Sequence, residues 1–300
     1  MDNSQLKTFI NEGFYSMNKL LVNKDCSDLM KKISIEKSYS PSIFLNELEF
    51  KKNPNFKKTN PGPGVNNLAE KYNLDFIFKN PDIIKVLKKL LGKNYRTEIC
   101  KFVMGMPASW VPSWVKKEMK DFGGSNNLNP YLKKEFRDVT CYYGAEYHQD
   151  SIDYSGHKAL KSKSFLIMYV YFDKVTLHDA PIIVVPGSHL YGAVTFPHTV
   201  DEAENSINYR PKKNKNVNLP YQFVTGEAGT VSLWHSLTLH RTNVVKSKVP
   251  RISLKVVFEK AGEEECLMDF ADQKIDGSLL LDNAFDKSTK LFSLAKKKYS

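Results

Sequence analysis

Three hundred residues, 41% apolar and 12% aromatic, describe an ordinary soluble globular chain with enough apolar matter for a substantial core. The start, MDNSQLKTFINEGF, carries acids and amides where a secretory signal needs a basic start and an apolar run, and no later stretch approaches the roughly 18 apolar residues of a membrane span. A cytoplasmic protein that stays off the membrane is expected. Cys26, Cys100, Cys141 and Cys266 are scattered without a CxxC pair, which argues against a disulfide framework and a structural zinc site. The net charge of +11 is concentrated in the front half, as lysines spread along helix-like segments. That pattern reads as a solvated face with some attraction for anionic small molecules, and no nucleic-acid partner is expected because no recognition motif accompanies it.

In chain order, the stretch from Asn53 to Gly64 is punctuated by prolines and glycines and reads as a loop. Pro81 to Leu91 is the clearest helix: Asn80 can cap it, Pro81 suits its first turn, Ile83, Ile84, Leu87, Leu90 and Leu91 form a stripe, and Gly92 supplies a left-handed stop. The aromatic residues Trp110, Trp114 and Phe122 either anchor the core or belong to a lid. Asp121 to Pro130 is rich in Gly and Asn and reads as a second loop.

From Val139 the pattern turns to short β-branched and aromatic runs: Val139 to Tyr143, Phe165 to Phe172, Ile182 to Val185, Tyr221 to Thr225, Thr230 to Trp234 and Arg251 to Phe258. The turns between them, Pro186-Gly187-Ser188 and Ala228-Gly229 among them, suggest a double-sheet jelly roll, not a parallel α/β sheet. The expected organisation is one domain over 1–300. It comprises a helical support and lid region (1–135), a jelly-roll core (136–258) and a C-terminal extension (259–300).

The residues that carry chemistry sit at the predicted rims of this core. His148-Gln149-Asp150 and the distant His240 supply two imidazoles and a carboxylate, a set that caps one face of an octahedral Fe(II) and leaves the other face open. Arg251 follows His240 by eleven positions, and its forked guanidinium can grip the carboxylate of a cosubstrate such as 2-oxoglutarate. Each residue also has a duller reading. HxD pairs recur on protein surfaces, Arg251 could be a strand-end charge, and His235 is an alternative ligand. His189, His157, His178 and His198 read as structural or loop histidines. Asp153, Tyr154 and His157 either border the open side of the metal or cap a loop, and the Lys296-Lys297-Lys298 tail reads as a frayed end.

The segments Tyr147-His148-Gln149-Asp150, Ala180-Pro181-Ile182-Ile183-Val184-Val185-Pro186-Gly187-Ser188-His189-Leu190 and Leu239-His240-Arg241-Thr242-Asn243, ending in Pro250-Arg251, resemble the phytanoyl-CoA dioxygenase family of Fe(II)/2-oxoglutarate-dependent oxygenases. The resemblance runs through roughly residues 138–258 and is loose before them. It implies a mainly β fold with flanking helices, a double-stranded β-helix (cupin-like) core and a helical N-terminal half. His148, Asp150 and His240 would hold Fe(II). Arg251 would pair with 2-oxoglutarate, assisted by the Thr242 hydroxyl, and Gln149 and Tyr169 match positions that touch the cosubstrate in some members. The implied reaction consumes O2 and 2-oxoglutarate, releases succinate and CO2, and hydroxylates a small molecule. Asp150 argues against halogenation, for which the family's halogenases leave that ligand position free. Asp179-Ala180-Pro181 departs from the Asn-Gly often found before the apolar strand. The alternative is a noncatalytic metal-binding jelly-roll sensor or binding protein, against which the intact Arg251 and Thr242 speak.

Overall fold

The computed structural model describes residues 3–52, 68–121, 126–153 and 164–279. The expected loop from Asn53 to Gly64, together with Phe122, Tyr154, His157 and the C-terminal lysines, lies outside these residues. Thirteen strands are formed among the described residues: β1 (Phe14–Met17), β2 (Tyr95–Gly105), β3 (Thr140–Tyr142), β4 (Ala145–His148), β5 (Leu166–Tyr171), β6 (Ile182–Val184), β7 (Val200–Glu202), β8 (Ser206–Lys212), β9 (Lys215–Pro220), β10 (Gln222–Val224), β11 (Val231–His235), β12 (His240–Thr242) and β13 (Arg251–Lys260). A six-stranded sheet in the order β1-β11-β5-β13-β2-β3 faces a four-stranded sheet, β10-β6-β12-β4. These two sheets form the double-stranded β-helix. A smaller sheet, β7-β8-β9, is antiparallel throughout.

Period-2 alternation explains how the large sheet is buried on both faces. In β5, Ile167, Tyr169 and Tyr171 point between the sheets, toward Ile182, Val184 and Val224 of the smaller one. Leu166, Met168 and Val170 point the other way, into a core shared with the helices. The helix Pro81–Leu91 supplies Ile83, Val86, Leu87, Leu90 and Leu91 to that core. Its N-cap is the one read from sequence: the Asn80 side chain accepts from the amides of Asp82 and Ile83, and Gly92 closes the helix at φ 85°. Trp114 packs on Phe50 and Tyr131, with ring centroids 5.2 and 5.8 Å away, and so anchors the core.

Two features depart from the sequence reading. The front 135 residues are not only support, because β1 pairs with β11 and the eleven-residue β2 pairs along β13. The core therefore begins before residue 136. The hairpin β8-β9 also escaped prediction. Its strands are polar and half exposed, and only Ile207 and Tyr209 on β8 are fully buried, against Tyr147, Val185 and Leu239.

Candidate metal and cosubstrate site

The four-stranded sheet positions the candidate metal ligands. His148 ends β4 and His240 begins β12, and the two are direct antiparallel partners, with ring centroids 4.3 Å apart. Asp150 follows two residues on, at the start of the short helix Asp150–Asp153. One ligand atom from each of His148, Asp150 and His240 lies within 4.8 Å of the others. Both histidines direct Nδ1 at a backbone carbonyl, His148 at Glu146 (2.7 Å) and His240 at Thr238 (2.9 Å). Donation from Nδ1–H fixes the tautomer that leaves Nε2 free as a ligand. Burial drives the His240 pKa down to about 3, with the neighbouring His148 charge adding to the effect. A neutral, ligand-ready imidazole is the result.

Asp150 is fully buried and reaches across to the large sheet. The Trp234 indole of β11 donates to Oδ2 at 2.9 Å, and Lys255 of β13 makes an ion pair with Oδ1. Burial by itself would raise this carboxyl's pKa, but the neighbouring Lys255 ammonium above all holds it well below the usual range. The carboxylate is thus ionised and fixed before any metal binds.

The cosubstrate candidates converge on the inner face of β13 and β5. Arg251 is buried beneath Tyr169 and Tyr171, its guanidinium carbon 6.0 and 5.9 Å from their ring centroids. Its Nη1 donates to the Ala180 carbonyl, which also accepts from the Thr242 hydroxyl at 2.9 Å. Ala180 holds a left-handed backbone at φ 52°, where the departure from Asn-Gly was noted. Arg251 Nε, Tyr169 Oη and Ser253 Oγ are buried and have no protein partner. Buried polar atoms of this kind are costly unless a ligand satisfies them, and a donor set of guanidinium and hydroxyls suits a carboxylate. The residues present therefore fit 2-oxoglutarate as well as they fit iron.

Gln149 behaves differently from what the resemblance implied. Its amide donates to the carbonyls of Gly192 (2.9 Å) and Leu237 (2.8 Å), and its oxygen accepts from Val194 N (2.9 Å). Alternation along the chain turns it away from its neighbours His148 and Asp150, so it fastens the loops behind the site and has no group left for a cosubstrate. His235 also stays outside the triad: Nε2 bonds Asp272 at 2.8 Å and Nδ1 accepts from Leu237 N. His189 bonds the Ile10 carbonyl and is structural.

Sequence reasoning missed Trp234, Ser253, Lys255, Lys101 and His198. The signal for two of them was present in β13, where Ser253 and Lys255 follow Arg251 at alternate positions of an otherwise apolar strand. Lys101 is the cross-strand partner of Lys255 and is also buried. His198 is held at Nδ1 by the Tyr209 hydroxyl (3.2 Å), while its Nε2 is buried without a partner; the charges bearing on it are those of His148 and His240. A groove of about 510 Å³ reaches Arg251 between Tyr39 and Val249, but no member of the triad lines it.

Among solved structures, the chain is similar to the non-heme alpha ketoglutarate dependent epimerase SnoN from nogalamycin biosynthesis. Identity is 13%, 96% of each chain is covered, and the TM-score is 0.50. A second SnoN structure, in complex with Fe3+, alpha ketoglutarate and nogalamycin RO, gives 14% identity with the same coverage and TM-score. At this identity the likeness speaks to the fold. No curated protein sequence matches. A double-stranded β-helix with this triad and anchor defines an Fe(II)/2-oxoglutarate-dependent oxygenase. Residues 134–253 match the family described as Phytanoyl-CoA dioxygenase (PhyH).

Proposed function

We propose that this enzyme hydroxylates a C–H bond of a small molecule while 2-oxoglutarate is converted to succinate and CO2. The observation that carries this reading is the pairing of a preformed His148-Asp150-His240 triad with unpartnered buried donors, Arg251 Nε and Ser253 Oγ, on the facing sheet. When bound, iron and 2-oxoglutarate supply an oxidant strong enough for an unactivated C–H bond. The chain's own residues do the rest. Arg251, Thr242, Ser253 and Tyr169 would orient the cosubstrate, the apolar residues between the sheets exclude water, and the buried, unpartnered His198 Nε2 is a hydrogen-bonding group available to a ligand. The net charge of +11 favours an anionic substrate.

Anaerobic addition of Fe(II) and then 2-oxoglutarate tests the reading. A weak visible charge-transfer band is expected in the wild type, and Arg251→Ala should need at least about tenfold more 2-oxoglutarate to reach it, since it removes a charge-assisted bidentate contact. Bound iron without a band would favour the noncatalytic metal-binding reading. SnoN is an epimerase, so incorporation of 18O from O2 into product separates hydroxylation from a reaction that leaves no oxygen behind.

A further inference from the structure

The two oxygens of Asp150 are held by donors of different charge. Oδ1 faces the Lys255 ammonium, whereas Oδ2 accepts the neutral Trp234 N–H at 2.9 Å and lies 3.5 Å from His240 Nε2. Lys255 is itself buried, at 8% exposure, so its charge stays in a low-dielectric region where a counter-ion matters most. A metal cation at Oδ1 would have to share that oxygen with another cation. At Oδ2 it meets a neutral donor, a spare lone pair and the ring nitrogen of His240.

We propose that Lys255 is a positioning residue of the metal centre, reserving Oδ1 so that Asp150 binds the metal through Oδ2 alone. The proposal rests on the reading of His148, Asp150 and His240 as the metal ligands. Its consequence is arithmetic. Two imidazoles and one carboxylate oxygen leave three of six positions open, enough for a bidentate 2-oxoglutarate and O2. A chelating Asp150 would leave only two. Lys255 would thus keep Asp150 from taking a second position on a bound metal, and an ammonium does so more firmly than a neutral donor because moving it off Oδ1 strands a buried charge.

Infrared difference spectra between apo and zinc-loaded protein, with 13C-labelled aspartate and Asp150→Asn as the subtraction control, report the binding mode directly. The wild type is expected to show the wide separation of asymmetric and symmetric carboxylate stretches that marks one-oxygen binding. In Lys255→Met the separation should narrow, and the Fe(II)–2-oxoglutarate band should need at least tenfold more cosubstrate. Lys255→Gln keeps an N–H donor at Oδ1 and should retain the wild-type separation. A chelating signature in the wild type, or a Lys255→Met spectrum and cosubstrate titration equal to wild type, overturns the proposal. If Lys255→Met does not fold, the wild-type spectrum still decides. Zinc bound equally by wild type and Asp150→Asn would instead overturn the assignment of the ligands, and this proposal with it.

Discussion

At the scale of single residues, the site was legible where chemistry depends on residue type and spacing, and illegible where it depends on direction. His148, Asp150 and His240 come together as their spacing suggested because β4 and β12 are neighbours in the small sheet. Gln149 lies between two of them in sequence and faces away from both, since adjacent residues of an extended chain point to opposite sides. This difference is testable. Gln149→Leu would leave the Gly192 and Leu237 carbonyls and the Val194 amide without their partner. A loss of at least about 2 kcal/mol in urea unfolding is expected, with the 2-oxoglutarate titration of the folded fraction changed less than about threefold. A large change in that titration with little change in stability would restore Gln149 to the cosubstrate site. Trp234 was invisible for the converse reason, an unremarkable strand residue until a register brings it opposite the triad, and the polar alternation of Ser253 and Lys255 in β13 pointed to no partner without that register.

At the scale of elements, strands with β-branched and aromatic runs were readable, and polar ones were not. β5, β6, β11 and β13 lie within the runs anticipated from sequence, extended at most by a residue or two at one end. β9 alternates half-exposed residues with exposed ones and β8 buries only Ile207 and Tyr209, so both resemble loop composition. β1 is four residues long, and its pairing with β11 depends on a chain reversal that local pattern does not encode. Gly229 shows how tightly the segment after β1 is seated. It has φ 84°, and a Cβ there would lie 2.3 Å from the Leu21 carbonyl oxygen, while the Leu21 amide donates to the Gly229 carbonyl at 3.0 Å. Gly229→Ala combines left-handed strain with a backbone clash and should cost more than about 1 kcal/mol by chemical denaturation. A neutral result would mean that Leu21 and the connection around it can move aside at little cost.

At the scale of the whole molecule, burial sets the pH dependence. Desolvation drives the pKa values of His189, His198 and His240 down to about 3 each, helped by neighbouring positive charge. In the unfolded chain they return to about 6.5. Below that value the unfolded state takes up protons that the folded state refuses, so their contribution is fully present above pH 6.5 and is lost as the pH falls toward 3. Each histidine costs about 1.4 kcal/mol per pH unit in that window, so the urea midpoint of the apo protein should fall steeply between pH 6.5 and 5.5. Zinc should flatten the curve by taking His240 out of the titration. A midpoint independent of pH would show that these rings do not stay neutral and buried.

By itself, the sequence determined the class of chemistry and the kind of fold. Imidazole, carboxylate and guanidinium groups have fixed coordination and hydrogen-bonding preferences, and alternating apolar runs must bury a face. Only the tertiary structure decided which side of each strand faces the metal, and hence that Asp150 spans the two sheets between Trp234 and Lys255 while Gln149 is spent on backbone. Those outcomes follow from the register between strands far apart in sequence, which brings together Asp150 and Lys255 across 105 residues, a long-range property set by packing of the whole core and not by any local run of residues.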